Sequence, residues 1–282
     1  MTYSVNLSAY LARIGYAGPR SATLETLNAL LGRHVQSIPF ENLDILRSRA
    51  ISIDPIAIED KLIHGQRGGY CFEHNTLLLH VLEALGFQVT VLSARARYQL
   101  PPGVRRPRTH VLLRVDLAGA SYLVDGGFGA LSPTAAVRLA LNVEQETPHE
   151  PRRVVAEGSW QGLSLRAPDA VLVQQAYFAD AWHDLFEFTL EPMPVQDREM
   201  GNWFTSTSPA SHFRSTLMVA RATPTGRVTL RDRELTERDR SGAVTSRVLD
   251  TRSQLLDALA EHFQLRFPPD TRFACPAWAD VE

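Results

Sequence analysis

The stretch Arg67-Gly68-Gly69-Tyr70-Cys71-Phe72-Glu73-His74-Asn75 sets a cysteine between a Gly-Gly turn and the start of an apolar helix. Backbone N–H groups at a helix start lack intrahelical partners and carry partial positive charge, which favours a sulfur there as thiolate. The two glycines allow a sharp turn and leave room for another group to approach. The plain alternative is a structural cysteine behind a tight turn, because free cysteine is among the most buried residue types. After Cys71, the residues Leu78, Val81, Leu82 and Leu85 fall on one helical face, and Gly86 stops the run.

A thiolate nucleophile needs a base, and the base needs a group that fixes its tautomer. Downstream, Arg108-Thr109-His110-Val111-Leu112-Leu113-Arg114-Val115 reads as a strand with a histidine at its entry. Next, Ser121-Tyr122-Leu123-Val124-Asp125-Gly126-Gly127-Phe128-Gly129 reads as a short strand ending on an aspartate and a glycine-rich turn. The link between them, Asp116 to Ala120, is short enough for antiparallel neighbours. His110 opens one strand and Asp125 closes the other, so antiparallel pairing brings both to one end of the sheet. Singly, each has a plain reading: a structural histidine, and an aspartate that caps a turn. Jointly they predict a Cys71, His110, Asp125 triad.

Working outward, the chain divides into three sections. Residues 1–86 carry helical periods, such as Leu7, Tyr10, Leu11 and Ile14, then Leu24, Leu27, Leu30 and Leu31. Residues 87–191 carry short strand signals at Gln88–Ala94, His110–Val115, Tyr122–Asp125, Arg152–Ala156 and Glu187–Leu190, which suggest a small antiparallel barrel. Residues 192–282 combine strands at Thr216–Ala220 and Val228–Leu230 with a helix at Ser253–Phe263. The fold class read from this order is α+β.

Composition sets bounds. The 282 residues are 44% hydrophobic, enough for a substantial core. The 29 basic and 31 acidic residues give a net charge of −2, so no global field points to nucleic acid. No apolar run of about 18 residues is present to span a bilayer, and Met1-Thr2-Tyr3-Ser4-Val5-Asn6 has neither the basic flank nor the apolar segment of a signal peptide. A cytoplasmic, reduced setting is expected, with Cys275, the only other cysteine, as a bystander in a Pro-flanked tail. No metal is expected. His74 and His80 are six residues apart, not at the four-residue spacing of a helical zinc pair, and the two cysteines form no knuckle.

The run Arg67 to Asn75 resembles the active-site signature of the arylamine N-acetyltransferases, Arg-Gly-Gly-x-Cys-x-Glu-x-Asn. The likeness extends to Tyr10-Leu11-Ala12-Arg13-Ile14-Gly15-Tyr16, Ile38-Pro39-Phe40-Glu41-Asn42-Leu43-Asp44, Arg108-Thr109-His110, Val124-Asp125-Gly126-Gly127-Phe128-Gly129, and Asn202-Trp203-Phe204 with Ser206, Pro209 and Phe213. It therefore spans about Tyr10 to Phe263, with nothing diagnostic from Val137 to Leu172. Gly126 departs from the pattern, where the family more often carries a small apolar residue such as valine.

This resemblance implies a helical domain, a β-barrel and an α/β lid, with a core like that of cysteine proteases and transglutaminases. It implies acetyl-CoA as co-substrate, with no tightly bound cofactor, and an arylamine or arylhydrazine as acceptor, with neither nucleic acid nor membrane as partner. A ping-pong route through an acyl-Cys71 thioester follows. By the same likeness Phe40, Phe128 and Phe204 line the acceptor pocket, although ordinary core packing also explains them. Thr109, Gly126, Gly127, Gly129 and Phe204 are candidate coenzyme contacts, with a simple turn as the competing reading of the glycines. Arg105, Arg106 and Arg108 read either as a solvated hairpin tip or as partners for coenzyme phosphates. Glu41 and Arg67 are expected to form a salt bridge that fixes the loop before Cys71. Glu73 and Asn75 are read as supports of the helix start. Two rivals remain open: a cysteine hydrolase or transglutaminase-like enzyme with the same triad, and a catalytically silent binding protein. The residues name neither the physiological amine nor the oligomeric state.

Overall fold

The amino-terminal apolar periods fold as helices in the computed structural model, which describes residues 3–101, 103–157 and 171–281. α1 (Leu7–Arg13) and α2 (Leu24–Ser37) each open on a side-chain cap: Asn6 accepts the Ala9 N–H, and Thr23 accepts the Thr26 N–H. Each such cap satisfies a donor left unpaired at a helix start and contributes roughly 1 kcal/mol. A two-residue strand, β1 (Phe40–Glu41), leads into α3 (Leu43–Leu46) and α4 (Pro55–Glu59), which one π turn continues through Asp60–His64. α5 (Cys71–Ala84) follows the Gly-Gly turn and ends before Gly86, whose φ is +85°. The expectation of one apolar face on α5 is too narrow. Leu77, Leu78, Leu79, Val81 and Leu82 are all buried, and so is its first turn, because the helix runs through the middle of the molecule.

The central strands are β2 (Gln88–Ala96), β3 (His110–Leu117), β4 (Ala120–Val124), β5 (Val137–Arg138), β6 (Arg152–Ala156), β7 (Leu172–Phe178) and β8 (Ala181–Pro192). They form one antiparallel sheet in the order β5-β4-β3-β2-β8-β7-β6. Bridges from Leu141 to Val154 and from Gln145 to Arg152 tie the segment after β5 to β6, so the sheet is a nearly closed barrel. Part of this section, residues 158–170, lies outside the described residues. The expected strand Glu187–Leu190 is only part of the second half of the 12-residue β8. β7 escaped the sequence reading because its inward positions include Gln174, a polar residue that is fully buried.

After the barrel come α6 (Val195–Thr207), β9 (Met218–Thr223), β10 (Gly226–Arg231), β11 (Glu234–Asp239), β12 (Val244–Val248) and α7 (Arg252–Phe263). Their sheet runs β1-β9-β10-β11-β12, so residues 40–41 of the amino-terminal section are its edge strand. The helical periods of residues 1–86 are thus joined by one short strand that belongs to this sheet. α6 was invisible to hydrophobic periodicity because its polarity is inverted: Gly201, Asn202, Thr205 and Ser206 are buried, while Met200 and Trp203 are exposed.

Apolar clusters sit between these layers. One joins α1, α2 and α5 to Leu113, Val115 and Val124 of the barrel strands, and another fills the barrel around Leu112, Phe186 and Phe188. A third lies under the second sheet around Leu230, Leu259 and Phe263. A small fourth cluster, Ile45, Tyr70, Cys71, Phe72, Val111 and Met193, sits where α5 meets β3. Each fully buried leucine of the first three clusters contributes about 1.5–3 kcal/mol. Among the described residues no helix is long and apolar enough to cross a membrane.

Candidate active site

Cys71 is the first residue of α5, and its thiol is free. The helix start is held by Glu73, whose carboxylate accepts the Tyr70 N–H at 3.0 Å and meets the Lys61 ammonium at 2.8 Å. The loop before it is held from outside. Arg67 donates through Nε to Glu41 at 3.0 Å and through Nη1 to Asp44 at 3.2 Å, and its guanidinium stacks over the Phe267 ring. The Glu41–Arg67 salt bridge expected from sequence is therefore present.

His110 opens β3, and Asp125 follows the last residue of β4. The β3–β4 register, Leu113 opposite Val124, puts both at one sheet end, where His110 Nε2 lies 2.7 Å from Asp125 Oδ2. Cys71 lies close enough to the same ring to help raise it. The thiol also reaches the Thr109 carbonyl at 3.7 Å. Phe128 and Phe186 enclose the imidazole at ring-centroid distances of 5.0 and 5.1 Å.

Burial alone would push the His110 imidazole down. The Asp125 carboxylate and the hydrogen bonds to Asp125 and Cys71 outweigh it and push the ring up to about 10. Burial also pushes the Asp125 carboxyl up, but His110, the Asn75 amide and the Gly127 N–H together leave it below its ordinary value. The pair therefore sits as imidazolium and carboxylate at neutral pH.

A family model described as N-acetyltransferase matches residues 23–271. An arylamine N-acetyltransferase of Mycolicibacterium smegmatis is 40% identical over 264 residues, which cover 92% of both sequences. The chain belongs to the arylamine N-acetyltransferase family. A solved arylamine N-acetyltransferase from M. smegmatis superposes with a TM-score of 0.88 at 37% identity, covering 99% of both chains. A Mycobacterium marinum arylamine N-acetyltransferase solved in complex with CoA superposes with a TM-score of 0.84 at 37% identity, covering 92% of both chains. As a member of the arylamine N-acetyltransferase family, the chain is an acyltransferase.

Around Cys71, His110 and Asp125, the structure brings some predicted residues together and separates others. Phe128 lies on His110, and Phe40 lies next to Gly129, 3.4 Å from where a Cβ on that glycine would fall. Phe204 is half-buried on α6, with no aromatic ring contact among the described residues. Gly126 and Gly127 are buried against the protein's own atoms, Leu78 and His34 for the first and the Cys71 backbone for the second. Their missing side chains thus serve internal packing, and Gly129 takes a left-handed backbone, φ +72°, against the Phe40 ring. Arg105 pairs with Glu187 at 2.9 Å, Arg108 approaches Glu191 at 3.6 Å, and Arg106 meets His212, so the loop is tied to β8 and to the segment after α6. Cys275 is buried in the carboxy-terminal cluster, where burial pushes its thiol up to about 11.

Asn75 needs correction. It does not support the helix start. Its amide donates to Asp125 Oδ1 at 2.9 Å and to the Val111 carbonyl at 2.7 Å, and its oxygen accepts the Gly126 N–H at 3.0 Å. Its place in the signature marked it, but only the tertiary contact gives the role. Sequence reasoning missed Phe186, and it gave Phe213 a place in the likeness but no role at the site. Phe213 meets Tyr70 edge-on at a ring-centroid distance of 5.7 Å and lies tilted at 6.2 Å from Phe40, and Phe186 sits in no pattern that ordinary core residues lack.

Proposed function

We propose that the protein moves an acetyl group from acetyl-CoA to an arylamine or arylhydrazine by a ping-pong route through an acyl-Cys71 intermediate, with His110 and Asp125 completing the triad. The observation that carries this reading is the buried His110–Asp125 pair at 2.7 Å, with Cys71 among the groups that act on the same ring. Family membership and the CoA complex of the M. marinum relative support the coenzyme.

The Cys71 thiolate attacks the acetyl carbonyl, and N–H groups of the first turn of α5 stabilise the oxyanion. The C–S bond to the coenzyme breaks, His110 gives its proton to the departing sulfur, and CoA leaves as a thiol. The acceptor amine then attacks the acyl-Cys71 thioester while neutral His110 takes the amine proton. Cys71 departs as thiolate, which restores the resting ion pair. Asp125 holds the imidazole in one orientation through both halves and stays ionised. Phe40, Phe128 and Phe204 line the acceptor side, where an apolar wall limits competing water. Thr109, Gly129 and Phe204 serve the coenzyme. Residues 1–86 act as the section carrying the nucleophile, 87–191 as the barrel carrying His110 and Asp125, and 192–282 as the α/β lid. The core arrangement follows that of cysteine proteases and transglutaminases.

The deciding experiment incubates the protein with acetyl-CoA alone and weighs its peptides. The acetyl increment is expected on the Cys71 peptide and absent in Cys71→Ala. An arylhydrazine must then speed its loss well above the rate in water. An acyl label insensitive to amine would favour the hydrolase, and no label at all would favour a silent binding protein.

A further inference from the structure

Behind the triad lies a row of buried polar groups that the mechanism does not use. Tyr10 on α1, His34 on α2 and His74 on α5 are each 0% exposed. Tyr10 Oη lies 3.1 Å from His34 Nδ1, His34 Nε2 lies 2.8 Å from His74 Nδ1, and His74 Nε2 lies 3.2 Å from the Pro39 carbonyl. The two imidazoles meet edge to face, with centroids 5.0 Å apart.

With both rings neutral, the bonds of this row take one direction. A carbonyl can only accept, so His74 carries its proton on Nε2. Full burial disfavours the charged ring at both positions, holding His74 down at about 4 and His34 well below its ordinary value. A neutral His74 then offers a bare Nδ1, to which His34 must donate from Nε2. That leaves His34 Nδ1 bare, and the Tyr10 hydroxyl donates to it. The chain runs one way, from phenol to carbonyl, and leaves no ring nitrogen unpaired.

Its two ends are not equivalent. At one end Pro39 precedes Phe40, and its carbonyl also accepts the Gly69 N–H at 3.3 Å, two residues before Cys71. In the middle, the His34 ring fills the notch at Gly126, where a Cβ would fall 3.0 Å from its Cδ2 and Nε2. Gly126 is the residue after Asp125, and its N–H is held by Asn75. The row therefore stands between the aspartate turn and the Pro39–Phe40 segment, spanning three helices.

We infer that His34 and His74 are positioning residues for the acceptor half of the reaction, setting Phe40 against the triad through the Pro39 carbonyl. This rests on the reading of Phe40 as an acceptor wall. A packing role alone would not require the one-way proton order, nor would it separate the two half-reactions.

The test has two parts. In wild-type protein labelled with 15N, two-bond imidazole spectra should show His34 and His74 neutral, both protonated on Nε2. Either ring charged at neutral pH, or protonated on Nδ1, overturns the inference. In His74→Leu, the arylhydrazine KM should rise roughly tenfold, while Cys71 acylation by acetyl-CoA falls by less than about threefold. His74→Gln, which can still donate to Pro39, should recover most of the lost affinity. If His74→Leu does not fold, Tyr10→Phe reads the same chain from its far end, with a KM increase of about threefold expected. Equal losses in both half-reactions, or no rescue by glutamine, would leave a structural role only. Failure of the wild type to form acetyl-Cys71 would instead strike at the proposed function.

Discussion

A Cβ placed on Gly127 would fall 2.5 Å from the Cα of Cys71 and 3.1 Å from its backbone nitrogen. The turn that carries Asp125 is thus pressed directly on the first residue of the helix that carries the thiol. Backbone cannot swing aside as a flexible side chain can. Gly127→Ala should therefore cost about 1–3 kcal/mol of stability and displace the aspartate from the imidazole. A displacement of about 1 Å lowers activity on the order of 100-fold. Thermal melts and turnover measured on one preparation check this, and a variant matching wild type in both would refute the tight contact.

Asn75 closes three bonds around Asp125, to the carboxylate, to the Val111 carbonyl and from the Gly126 N–H. Asn75→Ala leaves these buried groups without their partner, at about 1–3 kcal/mol for each unsatisfied group. The expected result is a large drop in kcat, with a smaller change in the KM for acetyl-CoA. A change confined to KM would place Asn75 in coenzyme binding instead.

The His110–Asp125 pair makes stability depend on pH with a definite sign. His110 is raised from 6.5 to about 10, so its contribution is fully present below pH 6.5 and is lost as pH rises through about 10. The Asp125 contribution runs the other way: present above its ordinary value of 3.8, it is lost as pH falls through its lower folded value. Denaturant unfolding of wild type and His110→Gln should show a stability gap that narrows steadily between pH 6.5 and 10. A gap independent of pH would show that the ring is neutral in the folded protein.

Glu150 joins the barrel to the second sheet. Its carboxylate takes two bonds from Arg227, at 2.7 and 2.6 Å, meets Arg152 at 3.3 Å, and is also paired with Arg238. Burial would raise this carboxyl, yet the three guanidinium groups hold it far below the ordinary carboxylate range. Glu150→Gln leaves fully buried Arg152 and nearly buried Arg227 uncompensated, and breaking such a pair costs about 3–5 kcal/mol. Chemical unfolding should show that loss above pH 4.5 and progressively less of it in acid. A loss under about 1 kcal/mol would reduce the cluster to the value of a surface pair.

Much of the site was legible because its signals are local. Cys71 follows two glycines and starts a helix, His110 starts a strand, and Asp125 ends the next one. These placements need only short-range periodicity and a short link. The Arg67–Glu41 bridge was legible from motif position. What stayed hidden had no local mark. α6 buries small and polar residues and exposes Met200 and Trp203, so its period carries the wrong sign. β1 is two residues long and pairs with a strand about 180 positions away.

The chain by itself determined the kinds of chemistry available: one cysteine at a helix start, one histidine and one aspartate at a shared sheet end, and helices before strands. Tertiary structure alone decided which neighbours tune them. Asn75 turned from a helix support into the holder of a carboxylate, and His34 and His74 met as a pair though 40 residues apart. The physical reason is that residue type and spacing encode backbone preference and apolar facing. A hydrogen bond between distant buried groups depends on how whole elements pack, and no window of sequence contains both partners.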